Sequence, residues 1–444
     1  SYPEGGKPGY AENKNRNANF YLNGGYVYDG RYLLDVNLRS DGTSVFGANK
    51  RFSTTWSVGL AWNVHREKFM KDKASFINVL KLRGSVGNPG NQNFSSYSAI
   101  TTYYFNNWML NNFGTGVLVS KFGDPNLAWQ RTLDKNIGIN LSMFSNRFHV
   151  TVDFYHKRTD PLIADIGIPV SMGVEKRRTN IGVQVDKGVN GTIRYAILYK
   201  PQESINYTMS VNFRYGTAFY KNIGRSLNAY NQENISKNLT RYYDGGSPTA
   251  LWAVRSRGID PATGQEIFVK KDGTLTYTFD YKDEVEVGDS RPTLEGVWGN
   301  TFYYKGWSAS LQLRYSFGAD VFNSTLFNKV ENISSRSITT NQDRRALYNR
   351  WKKPGDKAKF KSISLTESTP MSSRFVMKEN YLSIESVRLG YQFDSKWLKK
   401  ALRISSLNIN MYMNSIARFS TLEDERGLYY PFARSISFSL GAIL

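Results

Sequence analysis

The chain has 444 residues, a formal net charge of +21, no cysteine and three histidines. The missing cysteines exclude a disulfide framework and a thiolate metal site, and no run of about 18 apolar residues exists to cross a bilayer as a helix. Tyrosine, phenylalanine and tryptophan are abundant (29, 26 and 9) although mean hydropathy is only −0.48, because apolar side chains fall at every second position and not in blocks.

That statistic is expected when each strand shows one side to lipid and the other to water. In chain order the alternation predicts strands at 18–29, 31–39, 52–63, 79–87, 132–144, 147–158, 188–199, 204–215, 296–304, 307–316, 382–392, 404–414 and 433–444. In 147–157 Phe148, Val150, Val152 and Phe154 share one face, against Arg147, His149, Thr151, Asp153, Tyr155 and Lys157. In 204–215 the apolar face is Ile205, Tyr207, Met209, Val211, Phe213 and Tyr215; in 307–316 it is Trp307, Ala309, Leu311, Leu313 and Tyr315. The last strand sets Ile436, Phe438, Leu440, Ala442 and Leu444 against Ser435, Ser437, Ser439 and Gly441. Aromatic residues gather near the ends of these faces, where interfacial girdles belong.

The connections separate a membrane barrel from a soluble β-sandwich, which also alternates. Asp29-Gly30, Ser145-Asn146 and Lys305-Gly306 carry hairpin-turn residues, and Pro201-Gln202-Glu203 is another short link. Between them lie long connections, 216–295 and 317–381 among them. Short periplasmic turns alternating with long extracellular loops characterise an outer-membrane barrel, and a sandwich has no reason for that asymmetry. The predicted fold is therefore all-β, an antiparallel transmembrane β-barrel in the bacterial outer membrane. With tight turns in the periplasm, residues 1–17 lie outside the cell and Leu444 lies in the periplasm. Single-chain bacterial barrels usually have an even strand number, so about thirteen strands with one extracellular end imply further strands upstream. Ser1-Tyr2-Pro3-Glu4-Gly5-Gly6 has no apolar h-region, so an export signal is expected to have been removed or to lie upstream.

Several segments carry a family resemblance. Arg39-Ser40-Asp41-Gly42-Thr43-Ser44-Val45-Phe46 is followed by Trp56-Ser57-Val58-Gly59-Leu60-Ala61-Trp62 and Glu67-Lys68-Phe69. Leu80-Lys81-Leu82-Arg83-Gly84-Ser85-Val86-Gly87-Asn88-Pro89-Gly90-Asn91-Gln92 comes next, then Trp129-Gln130-Arg131-Thr132 with Asn136-Ile137-Gly138. Asn180-Ile181-Gly182, Lys187-Gly188, Gly288-Asp289-Ser290-Arg291-Pro292 and Tyr381-Leu382-Ser383-Ile384 complete the series. In this order along nearly the whole chain, they resemble the SusC/RagA-like TonB-dependent transporters of Bacteroidetes. Gln130 stands where Glu is usual, Ser383 where Arg is usual, and Thr421-Leu422-Glu423-Asp424-Glu425 where Gly-x-Asp-Pro-Glu is common. The final Leu444 replaces a terminal aromatic, so the resemblance is to a divergent member.

The resemblance implies a barrel of about 22 strands with a plugged lumen. Residues 1–444 are then the C-terminal part of the barrel, with the plug and N-terminal strands outside this chain. It also implies a SusD-like surface lipoprotein as lid, TonB-ExbB-ExbD acting through the plug, and a glycan or peptide as substrate. The alternative reading is a passive outer-membrane porin or structural barrel.

Catalytic chemistry is not indicated. His149 and His156 lie seven positions apart on one alternating strand, hence on opposite faces, and His65 sits near a predicted periplasmic turn. Gly288-Asp289-Ser290 has no neighbouring histidine to activate Ser290 and reads as a loop-to-strand junction. Asp283, Glu284 and Glu286 read as solvated loop charge or, less simply, a calcium site. No enzyme activity, metal site or cofactor is predicted. The charge of +21 is dispersed, with Lys176-Arg177-Arg178, Asp343-Arg344-Arg345 and Lys352-Lys353 in loops. It reads as a solvated lumen and loops beside outer-membrane lipid and lipopolysaccharide, with no nucleic-acid partner. The candidate substrate contacts are loop aromatics: Tyr103, Tyr104 and Trp108 in 88–131, and Tyr242, Tyr243 and Trp252 in 216–295. Such rings stack on sugar faces and pack against peptide side chains, and equally pack loops internally or against a lipoprotein.

Overall fold

A computed structural model describes the chain except for residues 1–11, 13, 15, 45–50, 72–73, 90–99, 112–113, 125, 129, 169, 175, 340, 365–366, 396–398, 401–402, 424–433 and 444. The first strands are β1 (Asn17–Tyr28), β2 (Tyr32–Thr43), β3 (Phe52–Asn63), β4 (Ile77–Asn88), β5 (Thr102–Asn111), β6 (Gly114–Lys121) and β7 (Thr132–Met143). They are followed by β8 (Phe148–Thr159), β9 (Leu162–Gly167), β10 (Lys176–Ile181), β11 (Val183–Lys200), β12 (Ile205–Lys221), β13 (Ala250–Ile259) and β14 (Glu266–Val269). The last are β15 (Leu275–Thr276), β16 (Glu284–Asp289), β17 (Leu294–Tyr304), β18 (Trp307–Phe322), β19 (Val376–Phe393), β20 (Ser406–Ser420) and β21 (Ile436–Ile443).

Thirteen of these form one sheet in the order β1-β2-β3-β4-β7-β8-β11-β12-β17-β18-β19-β20-β21. Its neighbours are antiparallel throughout. The predicted strands are all present. The structure adds length at the long-loop end, where β11 begins at Val183 and β19 at Val376. The remaining eight strands lie inside long connections. β5–β6 and β9–β10 are two-stranded hairpins, and β13, β14, β15 and β16 form a four-stranded sheet.

The predicted turns fold as their residues dictate. Asp29 and Gly30 (φ 50° and 61°), Ser145 and Asn146 (54° and 63°), and Lys305 and Gly306 (44° and 89°) are all left-handed, the backbone that matches strand twist in a tight hairpin. Register then brings the apolar positions of neighbouring strands to one face. The paired positions Leu38/Trp56, Val36/Val58 and Leu34/Leu60 point outward, as do Ile139/Val152, Val211/Trp298 and Trp298/Leu313. Outward apolar residues are open to the surroundings, Leu60 by 60% and Ile137 by 67%, which water would not tolerate over a whole wall but lipid requires.

At the short-turn end the outward face closes in an aromatic girdle. Tyr28 stacks on Tyr32 and Tyr32 on Trp62, both at 6.4 Å, and Phe148 meets Tyr195 edge-on at 5.9 Å. Trp307 meets Tyr391 at 4.7 Å. The Glu67 carboxylate anchors one arc of this belt, accepting from Trp62 Nε1 (2.9 Å), Tyr32 Oη (2.8 Å) and Arg31 Nη1 (3.0 Å). Those bonds, led by the one from Trp62, hold its pKa below the usual range.

The opposite face is polar and internally compensated. Arg83 pairs with Asp153 (2.6 Å), Lys157 with Asp134 (3.3 Å), Arg314 with Glu385 (3.4 Å) and Arg418 with Glu379 (2.6 Å). A register shift between Ile384 and Ser386 turns Glu385 to this side.

Because Leu311 lies mid-strand on the outward face and Ser310 on the lumen face, replacing each by arginine separates the two environments. Leu311→Arg is expected to cost about 2–4 kcal/mol in denaturant unfolding from a bilayer, and Ser310→Arg close to none of it. Equal costs would refute the assignment of faces.

Candidate functional site at the long-loop end

The two longest connections, 222–293 and 323–375, pack into one body above the wall. Arg374 holds them together. Its Nη2 lies 3.0 Å from Glu266 Oε2 and 2.7 Å from Glu331 Oε1, and both carboxylates are almost fully buried. Ser372 Oγ donates to Glu266 (2.6 Å), Thr369 Oγ1 donates to Glu331 (3.1 Å), and the guanidinium lies 4.5 Å from the Phe375 ring centre. Burial disfavours the Arg374 cation, but Glu331 and Glu266 outweigh it and raise its pKa. Trp351 adds a second tie, donating from Nε1 to Pro261 O at 2.9 Å and lying over Gly264. Gly264 is left-handed (φ 74°), and a Cβ there would fall 2.5 Å from the indole.

The 222–293 connection also has its own clasp. Arg241, 1% exposed, forms a bidentate pair with Glu284 (2.9 and 2.7 Å) and donates to the carbonyls of Ile235, Asn238 and Thr240. The sequence suggests solvated charge for Glu284; its partner lies 43 residues away, beyond any local pattern. Among the described residues no group of three or more His, Cys, Asp or Glu side chains is placed to hold a metal.

Beside this clasp is an open cleft of about 830 Å³ lined by Ile235, Tyr243, Trp252, Lys271, Lys282 and Glu286, among others. Tyr243 and Trp252 meet at 4.8 Å with planes tilted 52°. The Trp252 Nε1 donor is buried and has no partner among the described residues. Glu286, opposite Trp252 in the β13–β16 register, has its carboxyl pushed upward, first by burial and then by Asp289. The cleft thus combines the aromatic faces of Tyr243, Trp252 and Tyr281 with carboxyl groups from Asp280, Glu284 and Glu286 and with the cations of Lys271, Lys282 and Arg241, a set suited to an amphipathic ligand with hydrogen-bonding groups.

Of the six aromatic candidates, Tyr243 and Trp252 share this cleft. Tyr242 turns the other way, packs against Tyr220 (5.7 Å) and Tyr230 (5.4 Å), and lines a second cavity of about 390 Å³ with Leu162, Ile181 and Ile223. Tyr103 and Tyr104, 64% and 48% exposed, sit on the separate β5–β6 hairpin. Trp108 belongs to the same strand, with its side chain outside the described residues. The Arg241 and Arg374 clasps leave no signal in the sequence, because charges joined only by folding have no spacing to read; Glu284 and Glu286 read there as solvated charge or a calcium site, and the structure makes one a clasp partner and places the other in the cleft.

The run Lys176-Arg177-Arg178 proves to be a three-way tie. Lys176 meets Glu233 (3.2 Å) and Arg177 meets Asp124 (3.0 Å), binding the β9–β10 hairpin to two neighbouring connections, while Arg178 meets Asp165 (2.9 Å) across the hairpin itself. Asn180 copies a backbone pair, accepting from Ala128 N (2.7 Å) and donating to Ala128 O (3.0 Å). Gly288 and Asp289 mark the junction with the wall: a Cβ on Gly288 would lie 2.7 Å from Asp320, whose Oδ2 accepts from Asp289 N at 3.1 Å. Ser290 Oγ donates to Thr249 O at 3.1 Å, so the motif is a joint.

A wall with one lipid-facing and one polar side, short turns at one end and folded loops at the other, is an outer-membrane β-barrel wall. A family model described as TonB dependent receptor-like, beta-barrel matches residues 1–410, and the chain belongs to that family. It is 27% identical to TonB-dependent receptor P39 of Formosa agariphila over 91% of this chain and 43% of that protein. It is 24% identical to TonB-dependent receptor SusC of Bacteroides thetaiotaomicron over 93% of this chain and 42% of that protein. A solved structure of the RagAB peptide transporter superposes with a TM-score of 0.80 at 20% identity, over 92% of this chain and 44% of that one. The chain thus spans less than half the length of the relatives it matches.

Two measurements test the loop body. Arg374→Ala leaves Glu266 and Glu331 buried without their cation and is expected to cost about 3–5 kcal/mol locally. Hydrogen exchange should accelerate in 254–269 and 326–375 while the wall strands stay protected; unchanged exchange would show that the clasp is not structural. Acidification should act in the same direction. Burial alone would raise Asp124, but the Asn126 amide, Arg177 and Thr179 outweigh it and hold it low, and Arg345 holds Asp343 low. Depressed carboxylates give their stabilisation fully above the unfolded pKa of about 3.9 and lose it as pH falls through the folded value. Loop protection should therefore be level from pH 7 to about 5 and decline below about 4. A decline centred near pH 6 would refute the assignment to these carboxylates.

Proposed function

We propose that this chain is the C-terminal wall of an outer-membrane transporter that actively imports a nutrient too large for passive pores. The family match over residues 1–410 carries the reading. In the intact protein the wall is completed by strands from an N-terminal portion, which also supplies the plug. In support, among the described residues β1 and β21 each pair along one edge only, and an open strand edge in a bilayer leaves backbone groups without partners. Relatives more than twice as long leave room for those parts.

A SusD-like lipoprotein lids the long-loop end, and TonB-ExbB-ExbD pulls on the plug. The substrate is a glycan or a peptide, contacted by Tyr243 and Trp252 in the 830 Å³ cleft and by the exposed Tyr103 and Tyr104. RagAB is called a peptide transporter and importer, and a cleft of aromatic faces set among carboxyl and ammonium groups accommodates either class. Import is a gated conformational process in which no covalent bond of the substrate is made or broken.

Uptake of the substrate should fall to background when either TonB or the lipoprotein gene is deleted. Normal uptake without both would leave a passive porin as the reading, and such a porin conducts ions steadily in planar bilayers. Tyr243→Ala and Trp252→Ala should each weaken substrate binding to the purified complex about tenfold. Unchanged binding in both would remove the cleft from the substrate path while leaving the import reading intact.

A further inference from the structure

The outward face of the wall carries a group of bases where a lipid-facing surface is least expected to hold them. Ile137, Phe154, Val189 and Tyr215 form one row across β7, β8, β11 and β12, fixed by the pairs Ile137/Phe154, Phe154/Val189 and Val189/Tyr215. Ile137, Phe154 and Tyr215 are 67%, 50% and 54% exposed, as lipid contacts are. The next outward row, two residues nearer the long-loop end, is Lys135, His156, Lys187 and Thr217. No register shift intervenes on β7, β8 or β11 between the two rows, so all three bases leave the same face as the apolar row below them. Two further residues up, Phe219 faces outward, and its ring centre lies 5.8 Å from Lys187 Nζ and 5.3 Å from Lys221 Nζ.

Two ammonium groups drawn to one ring repel each other and remain unneutralised. The carboxylates nearby are occupied elsewhere. Asp134, Asp153 and Asp186 occupy the intervening lumen-facing positions and pair with Lys157, Arg83 and Arg291, while Asp160 holds Arg158. No ion pair neutralises Lys135, His156, Lys187 or Lys221 among the described residues, and all four are exposed. On β1, β2 and β3 the outward positions at the same end are Ala18, Ser40 and Thr54. The charge is therefore a feature of one sector and not of the whole rim.

We propose that Lys135, His156, Lys187 and Lys221 form a docking site for the phosphorylated headgroup of a lipid in the outer leaflet. The apolar row places the bases at headgroup height, with acyl chains lying along Ile137, Phe154 and Tyr215. Lys135 and Lys187 stand two strands apart, about 10 Å, a span that two phosphates on one sugar headgroup bridge. Each lysine held near an anionic surface strengthens binding about fivefold.

The test uses the full-length transporter purified from its own outer membrane and purified lipid A as probe, with retention read by native mass spectrometry. Wild-type protein should retain lipid A, and the K135Q/K187Q/K221Q variant should lose it by at least tenfold. The lumen-facing K81Q/R194Q variant should retain it, and heat-modified gel mobility checks that every variant is folded. Dephosphorylated lipid A should bind at least tenfold more weakly than the phosphorylated form. Equal retention by the triple variant, equal binding of dephosphorylated lipid, or displacement by inorganic phosphate at equal phosphate concentration would each overturn the site.

Discussion

Inside a bilayer, each backbone N–H and C=O must find its partner within the protein, because the hydrocarbon offers none. The thirteen-stranded antiparallel sheet answers that requirement, and most other features follow from it. A continuous ladder forces side chains to alternate between lipid and lumen, so one face becomes apolar across the hydrocarbon and the other polar. The left-handed turns at Asp29-Gly30 and Lys305-Gly306 keep the ladder in register, since a slip of one residue would exchange the two faces. The aromatic girdle, with Glu67 tying Trp62 to Tyr32, marks where the ladder leaves the hydrocarbon.

Beyond the membrane the constraint relaxes, and a different packing chemistry takes over. The long connections are stabilised as a soluble domain is, by small apolar clusters and buried ionic clasps. Val330, Phe360 and Phe375 form one such cluster directly beside Arg374 and its two carboxylates. Buried ion pairs add less net stability than apolar packing of equal volume, because desolvation offsets the attraction. They do impose one arrangement, since Arg374 satisfies Glu266 and Glu331 together only when the two connections are correctly seated. A loop body held this way keeps the Tyr243–Trp252 cleft in shape while the wall below it is specified independently.

The strand wall was legible in the sequence because its signal is local and repetitive. Ile205, Tyr207, Met209, Val211, Phe213 and Tyr215 leave one face at every second position, as the alternation predicts. The upper part of β11 was not legible, because the outward positions there include Lys187 and break the apolar alternation, although Val183 and Val185 are buried. The eight loop strands leave no such signal for a related reason. In β13 the residues Ala250, Ala253 and Val254 are all buried, so both faces are covered and the two-residue alternation disappears. The family motifs were legible as patterns before their purposes were. Asp41 is buried against Arg39, Asn180 imitates a backbone pair for Ala128, and Gly288 lets β16 approach Asp320.

By itself, the sequence determined the antiparallel wall, its two faces, the alternation of turns and loops, and the family. Each of these depends on residue type at fixed short spacing, which folding does not alter. Tertiary structure alone decided which charges meet and which aromatic rings share a cavity. Tyr242 and Tyr243 are neighbours in the chain yet line different cavities, because consecutive side chains depart in opposite directions. Arg374 and Glu266 stand 108 residues apart and become partners only when two connections fold over one another. The basic row of Lys135, His156 and Lys187 likewise exists only across three paired strands. Register assembles it, from lysines and a histidine that read individually as dispersed charge.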